Sequence, residues 1–240
     1  PGAFCAGWLP GEFSAIFTNT RLANRRSGPA GLSLDFSRQR RTAMGVFSVL
    51  TAKHIVYLHG FASSSLSEKA QQTTAYFRQQ YPHIDYVALD LPYEPAAALN
   101  LIRQQIGPRR DVALIGSSLG GFLATCIAEQ IDCRACLINP AVAPHRVLDK
   151  HLGRYYHPVL QQHFDVTSAQ MSQLQQMMPA ALQKPQNYLL LLQSGDEVLD
   201  YRLALEYYKG ATIKLSEGGD HSYVGYASEL EAIANFCQLA

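Results

Sequence analysis

Cysteine is scarce in this 240-residue chain: five residues, an odd number. That is too few for a disulfide scaffold and fits a reducing, cytoplasmic setting better than a secreted one. Long apolar runs are missing as well. The most apolar segment, 188–192, has the length of a strand and falls far short of the roughly 20 residues that cross a bilayer, so no membrane partner is expected. Glycine (17) and proline (12) are too few for a collagen-like or low-complexity chain. Neither sign of charge is in excess, with 20 Lys and Arg against 19 Asp and Glu for a net of +1. The surplus that exists is local: residues 1–43 hold six Arg and two acids, +4, leaving −3 for the rest. A nucleic-acid footprint places a basic stripe on the folded part, so nucleic acid is not an expected partner. What is present is apolar material, 48% of the residues, enough for a substantial core.

The first fifty residues show no sustained period of 2.0 or 3.6 and carry turn punctuation at Pro1-Gly2, Pro10-Gly11 and Ser27-Gly28-Pro29. Three readings compete for this Arg-rich stretch: a transit peptide, an extension packed on the core, or a poorly ordered leader before a functional start near Met44. The last is preferred. No apolar segment follows a basic start, which argues against a secretory signal.

From Lys53 the pattern changes to short apolar strands alternating with amphipathic helices. Strands are expected at 54–58, 86–89, 112–115, 135–138, 188–192 and 212–215. Helices are expected at 67–80, 95–106, 119–130, 168–178, 199–209 and 228–239. Strands of this length separated by helices of ten or more residues imply βαβ units and a mostly parallel sheet flanked by helices. The chain therefore reads as an α/β domain over 51–240 with one irregular insertion at about 141–180, and no regular element is expected in that insertion before residue 168.

Gly116-Ser117-Ser118-Leu119-Gly120 matches G-x-S-x-G between an expected strand and an expected helix. That is the strand–turn–helix context of a nucleophile elbow, where a Cβ on either glycine collides with neighbouring backbone. Ser118 has glycine at both −2 and +2; Ser117 does not. A plain glycine-rich βα turn is the bland alternative. A serine hydroxyl needs a base to take its proton and an acid to orient that base, and in an α/β-hydrolase these follow in the order Ser, acid, His. Asp196 lies after the strand at 188–192 and His221 after the strand at 212–215. Asp200 is a rival for the acid, and Asp220 reads as shaping the His221 loop. The oxyanion donors are expected to be the N–H groups of Leu119 and, in the loop after the first strand, Phe61, each worth about 3 kcal/mol in the transition state. His59 reads as a brace for that loop.

His145, His151, His157 and His163 fall in the insertion and read as surface residues; none shows a zinc-ligand spacing. Cys133-Arg134-Ala135-Cys136 matches C-x-x-C but leads into a strand, where small buried thiols are the better account.

Five motifs in order resemble the YqiA/YcfP-type small bacterial esterases of the α/β-hydrolase fold: Tyr57-Leu58-His59-Gly60-Phe61, Gly116-Ser117-Ser118-Leu119-Gly120-Gly121, Ile138-Asn139-Pro140-Ala141-Val142, 195–202 and 217–221. The resemblance covers about 54–240. It implies a compact cytoplasmic hydrolase that uses neither cofactor nor metal, with a triad on Ser118, Asp196 and His221. Its substrate is expected to be a small-molecule carboxylic ester, with an acyl-CoA or other thioester as the alternative. A hydrolase-like protein that only binds its ligand is a remoter one. Members usually begin just before the first core strand, so residues 1–43 are a departure. The insertion, with Tyr155, Tyr156, Met171, Met177 and Met178, is implied to be a short cap that sets substrate size.

Overall fold

The computed structural model describes residues 51–157 and 159–239. The readings of residues 1–50 lie outside the described residues. In chain order the elements are β1 (His54–Leu58), α1 (Glu68–Gln80), β2 (Asp85–Leu89), α2 (Pro95–Ile106), β3 (Val112–Ser117), α3 (Leu119–Ile131), β4 (Arg134–Ile138), α4 (Pro144–Leu148), β5 (Gly153–His157), β6 (Gln162–Val166), α5 (Ser168–Met177), β7 (Tyr188–Gln193), α6 (Tyr201–Tyr207), β8 (Thr212–Ser216) and α7 (Leu230–Cys237).

Six strands form one sheet in the order β2-β1-β3-β4-β7-β8, and every neighbouring pair is parallel. Strands β1, β3 and β7 are buried at every position. Alternate residues serve opposite faces. Val56, Leu114, Leu137 and Leu190 join the core beneath α2, α3 and α6, while Ile55, Ile115, Ile138 and Leu191 join the one beneath α1 and α7. Burial of such a side chain is worth about 1.5–3 kcal/mol, so a sheet covered on both sides selects uninterrupted apolar strands. At the outer edge β8 is largely exposed, and its sequence, Thr-Ile-Lys-Leu-Ser, is correspondingly mixed.

Helix limits follow from local chemistry. Pro95 opens α2, the Glu94 carboxylate accepts from Ala97 N–H at 2.6 Å, and Gly107 closes the helix with φ +58°. Reciprocal bonds between Thr167 and Gln170 cap the start of α5.

The insertion is more regular than expected. It contains the short helix α4 and an antiparallel hairpin of β5 and β6, which form a separate two-stranded sheet. The hairpin depends on aromatic anchorage: Phe164 stacks on Tyr93 from the loop after β2, at 3.8 Å and 5°, and lies edge-on to Phe61 at 5.7 Å.

Chain direction prepares a site. From β1 the chain proceeds to β2 on one side, and from β3 to β4 on the other. At such a reversal the loops beyond the carboxyl ends of the strands part and leave a crevice. The loops after β1, β3, β7 and β8 carry Phe61, Ser118 with Leu119, Asp196 and His221 respectively. No helix among the described residues is long and apolar enough to cross a membrane.

Candidate active site

Strand β3 runs directly into α3, and Ser118 occupies the one-residue junction with φ +54° and ψ −120°. A non-glycine residue persists in that region only when its surroundings over-determine it. They do so here. Ser118 N–H donates to the Ile138 carbonyl at 3.0 Å, and the Ser118 carbonyl accepts from Gly121 at 2.9 Å and Ala141 at 3.1 Å. A Cβ on Gly116 would lie 2.4 Å from the Gly120 oxygen, and one on Gly120 would lie 2.2 Å from the Leu58 oxygen. Both glycines are therefore required by close backbone approach, as the motif implied.

Across the crevice, Gly60 presses against the elbow: a Cβ there would lie 3.2 Å from that of Ser118 and 3.7 Å from its Oγ. Phe61 follows immediately, and with Leu119 it lines a narrow apolar crevice of about 30 Å³. Leu119 begins α3, where helix geometry leaves its N–H without an intrahelical acceptor. His59 is buried and braces this loop. Its Nδ1 lies 2.8 Å from the Gly60 carbonyl, and its Nε2 accepts from Leu91 N–H at 2.9 Å. That pair of bonds fixes the neutral Nδ1–H tautomer. Burial holds the pKa of His59 below the ordinary histidine value.

The loops after β7 and β8 bring the acid and the histidine to Ser118. His221 Nε2 lies 3.0 Å from Ser118 Oγ, while His221 Nδ1 lies 2.9 and 3.0 Å from the two oxygens of Asp196. The Asp196 side chain is only 2% exposed, and its Oδ1 also accepts from Val198 and Leu199 N–H, at 2.9 and 2.8 Å. A buried carboxylate held in this way keeps Nδ1–H of His221 as donor and leaves Nε2 free to accept the serine proton. Asp200, the rival acid, is engaged elsewhere. It caps α6 through Arg202 N–H and meets the Arg202 guanidinium with both oxygens at 2.8 Å.

Sequence reasoning assigned no role to three residues that hold the His221 loop. Asn139 Nδ2 donates to the Asp220 and His221 carbonyls at 3.0 and 3.4 Å, and its Oδ1 accepts from Gln193 N–H at 3.0 Å. Gln193 Oε1 accepts from Asp220 and Val224 N–H, at 3.1 and 2.9 Å, and its Nε2 donates to the Val224 carbonyl at 2.8 Å. Glu197 accepts from His221 N–H at 3.0 Å. Asn139 and Gln193 are both buried at the carboxyl ends of β4 and β7. A lone amide closing an apolar strand was the available signal, since a buried amide must be spent on hydrogen bonds.

The reading of the insertion histidines needs correction at His157. It is buried, with Nε2 3.2 Å from the Ser63 carbonyl and Nδ1 accepting from Leu160 N–H at 3.1 Å, and so pins the hairpin beside the loop after β1. Cys133 and Cys136 are both buried, and the Cys136 thiol meets that of Cys237 at 3.8 Å. Burial pushes the Cys133 thiol up to about 12, which suits packing rather than redox exchange.

Residues 54–238 match the family described as Uncharacterised protein family (UPF0227). Among solved structures, the chain is similar to a protein from Agrobacterium vitis S4, at 15% identity and a TM-score of 0.61 over 77% of this chain and 87% of that one. Alpha/beta hydrolase domain-containing protein 10 from mouse aligns at 14% identity and a TM-score of 0.57, over 76% and 86% of the two chains. Est1E from Butyrivibrio proteoclasticus, solved with ferulic acid bound, aligns at 12% and 0.55, over 80% and 88%. Likeness at these identities establishes the α/β-hydrolase fold and carries nothing further. The matched span contains all five motifs noted in the sequence, and the chain belongs to UPF0227, the family of the YqiA/YcfP-type proteins.

Proposed function

We propose that this protein is a serine hydrolase that cleaves carboxylic esters through an acyl-enzyme. The observation that carries the reading is the unbroken line Asp196–His221–Ser118, with contacts of 2.9 and 3.0 Å, at the mouth of a strained elbow. His221 Nε2 takes the hydroxyl proton as Ser118 Oγ bonds to the ester carbonyl carbon, and the carbonyl electron pair moves onto oxygen. The N–H groups of Phe61 and Leu119 hold that oxyanion. Collapse breaks the bond to the alcohol oxygen, which receives the proton from His221. Water then repeats the sequence on the acyl-enzyme, releasing the acid and restoring Ser118. Asp196 fixes the imidazole tautomer throughout. In this reading the segment between β4 and β7 is a cap over the crevice.

The test is hydrolysis of p-nitrophenyl esters of increasing acyl length by wild type and Ser118→Ala. Removing the nucleophile is expected to lower kcat by about a million-fold, the loss a serine protease suffers in the same experiment. A variant that keeps most of the wild-type rate sinks the assignment of Ser118. Matched oxygen and sulfur esters of the best acyl chain, run in the same assay, then separate an esterase from a thioesterase.

A further inference from the structure

A cavity of about 480 Å³ lies between the segment after β4 and the loop after β7, and neither Ser118 nor His221 lines it. Its size is that of ordinary small-molecule sites, which span about 300–1,000 Å³. Both of its walls continue from residues that hold the proposed triad. On one side, Ala141 N–H bonds to the Ser118 carbonyl and the chain passes straight into the lining residues Val142 and Ala143. On the other, Val198 and Leu199 give their N–H groups to Asp196 while lining the cavity.

The lining has two characters. Val142, Met178, Leu199 and Leu203 make an apolar wall, and Leu203 is half exposed on it. Arg146 and Lys150 bring positive charge. Among the described residues that line it the single carboxylate is Asp200, which is already satisfied by Arg202. Arg146 is exposed and forms no ion pair among the described residues. Next to it, His145 Nδ1 is buried without a hydrogen-bond partner among those residues. An apolar wall that shares a cavity with a guanidinium free of any ion pair among the described residues is complementary to an aliphatic chain carrying an anion, because guanidinium and carboxylate pair through two parallel hydrogen bonds.

We infer that this cavity binds a second, carboxylate-bearing arm of the substrate, with its methylenes along Val142, Met178 and Leu199 and its carboxylate on Arg146. The inference rests on the hydrolase reading insofar as the bound molecule is a substrate. The arm belongs either to the acyl group or to the alcohol, and three esters tell these apart. They are ethyl hexanoate (neutral), monoethyl adipate (carboxylate on the acyl side) and the butyrate ester of 4-hydroxybutyrate (carboxylate on the alcohol side).

One of the two charged esters is expected to exceed ethyl hexanoate in kcat/KM by at least about tenfold, the scale of one charge-assisted hydrogen bond. Arg146→Glu is expected to cut that preference by a similar factor, and Arg146→Lys to keep part of it. Calorimetric binding of the same esters to Ser118→Ala supplies a readout that needs no turnover, with Arg146→Glu added in the same background. Equal rates on all three esters, together with binding that ignores Arg146, overturn the inference and leave the hydrolase reading standing. Arg146-dependent binding of a charged ester without turnover of any ester by wild type supports the site and overturns the hydrolase reading instead.

Discussion

The elbow at Ser118 and the hairpin of β5 and β6 both stand beyond the carboxyl edge of the sheet, yet they are held by different means. Backbone holds the elbow: main-chain hydrogen bonds at both the N–H and the carbonyl of Ser118, and two glycines whose missing Cβ atoms leave room for the Gly120 and Leu58 carbonyls. Side chains hold the hairpin: the Phe164–Tyr93 stack and the His157 bond to Ser63. Close-packed backbone contacts have one solution, whereas aromatic stacks tolerate changes of size and partner. The proposed chemistry thus sits on the part that cannot be adjusted, and the proposed cap on the part that can. Substitutions at the first should reduce kcat; substitutions at the second should move KM and acyl preference.

The sharpest contrast sets Asp196 against Asp200. Asp196→Asn keeps the shape but removes the acceptor that fixes His221, and kcat is expected to fall about 10⁴-fold, as in the serine-protease precedent. Asp200→Asn disturbs a helix cap and an exposed ion pair, and its rate should remain within a few-fold of wild type. Comparable losses in both variants would mean that the acid is wrongly assigned. Next in size come Asn139→Ala and Gln193→Ala. Each deletes buried hydrogen bonds to the His221 loop at about 1–3 kcal/mol, so kcat should fall roughly ten- to a hundredfold with a smaller change in KM. A KM effect larger than the kcat effect would show that these amides do not position His221.

The same distinction explains what could be read in the sequence. The runs that became β1, β3 and β7 were legible because burial on both faces leaves no polar interruption. The elbow was legible because steric need forces glycine at fixed offsets. The hairpin was not: Phe164 and Val166 do alternate with His163 and Asp165, but two strands with one buried face give too short a pattern. The burial of His157 is hidden from the sequence for a related reason, since its partner Ser63 lies 94 residues away. Asn139 and Gln193 act through loops brought together only by folding; sequence shows the odd amide at a strand end, not what it holds. Helices α6 and α7 start later than the pattern at 199–209 and 228–239 implies, because the Asp200 cap and a 3₁₀ turn at Tyr226–Glu229 precede the regular helices.

The hairpin side is tested by Phe164→Leu, which removes the stack on Tyr93. Such a pair is worth about 0.5–1.5 kcal/mol beyond area burial, so the melting temperature should fall by roughly 1–6 °C. KM for longer acyl chains should rise several-fold, and kcat should change less. A kcat loss as large as that of Gln193→Ala would show that hairpin and elbow are not held independently.

The smallest expected effect is that of pH on the loop brace. His59 has its pKa held below the ordinary histidine value of about 6.5 by burial, and its Nε2 must stay unprotonated to accept from Leu91. Above the unfolded value both states are neutral, and the brace contributes in full. As pH falls from there toward the lower folded value, the unfolded chain takes up a proton that the folded chain refuses, so stability is lost over that window. Thermal melts of wild type between pH 8 and pH 5 should decline below about 6.5. His59→Leu should be less stable at pH 8, by about 1 kcal/mol for each of its two hydrogen bonds, yet decline less steeply on acidification. Parallel decline in both proteins would place the acid sensitivity elsewhere. His145 is the next group to substitute, since burial and Arg146 shift it in the same direction.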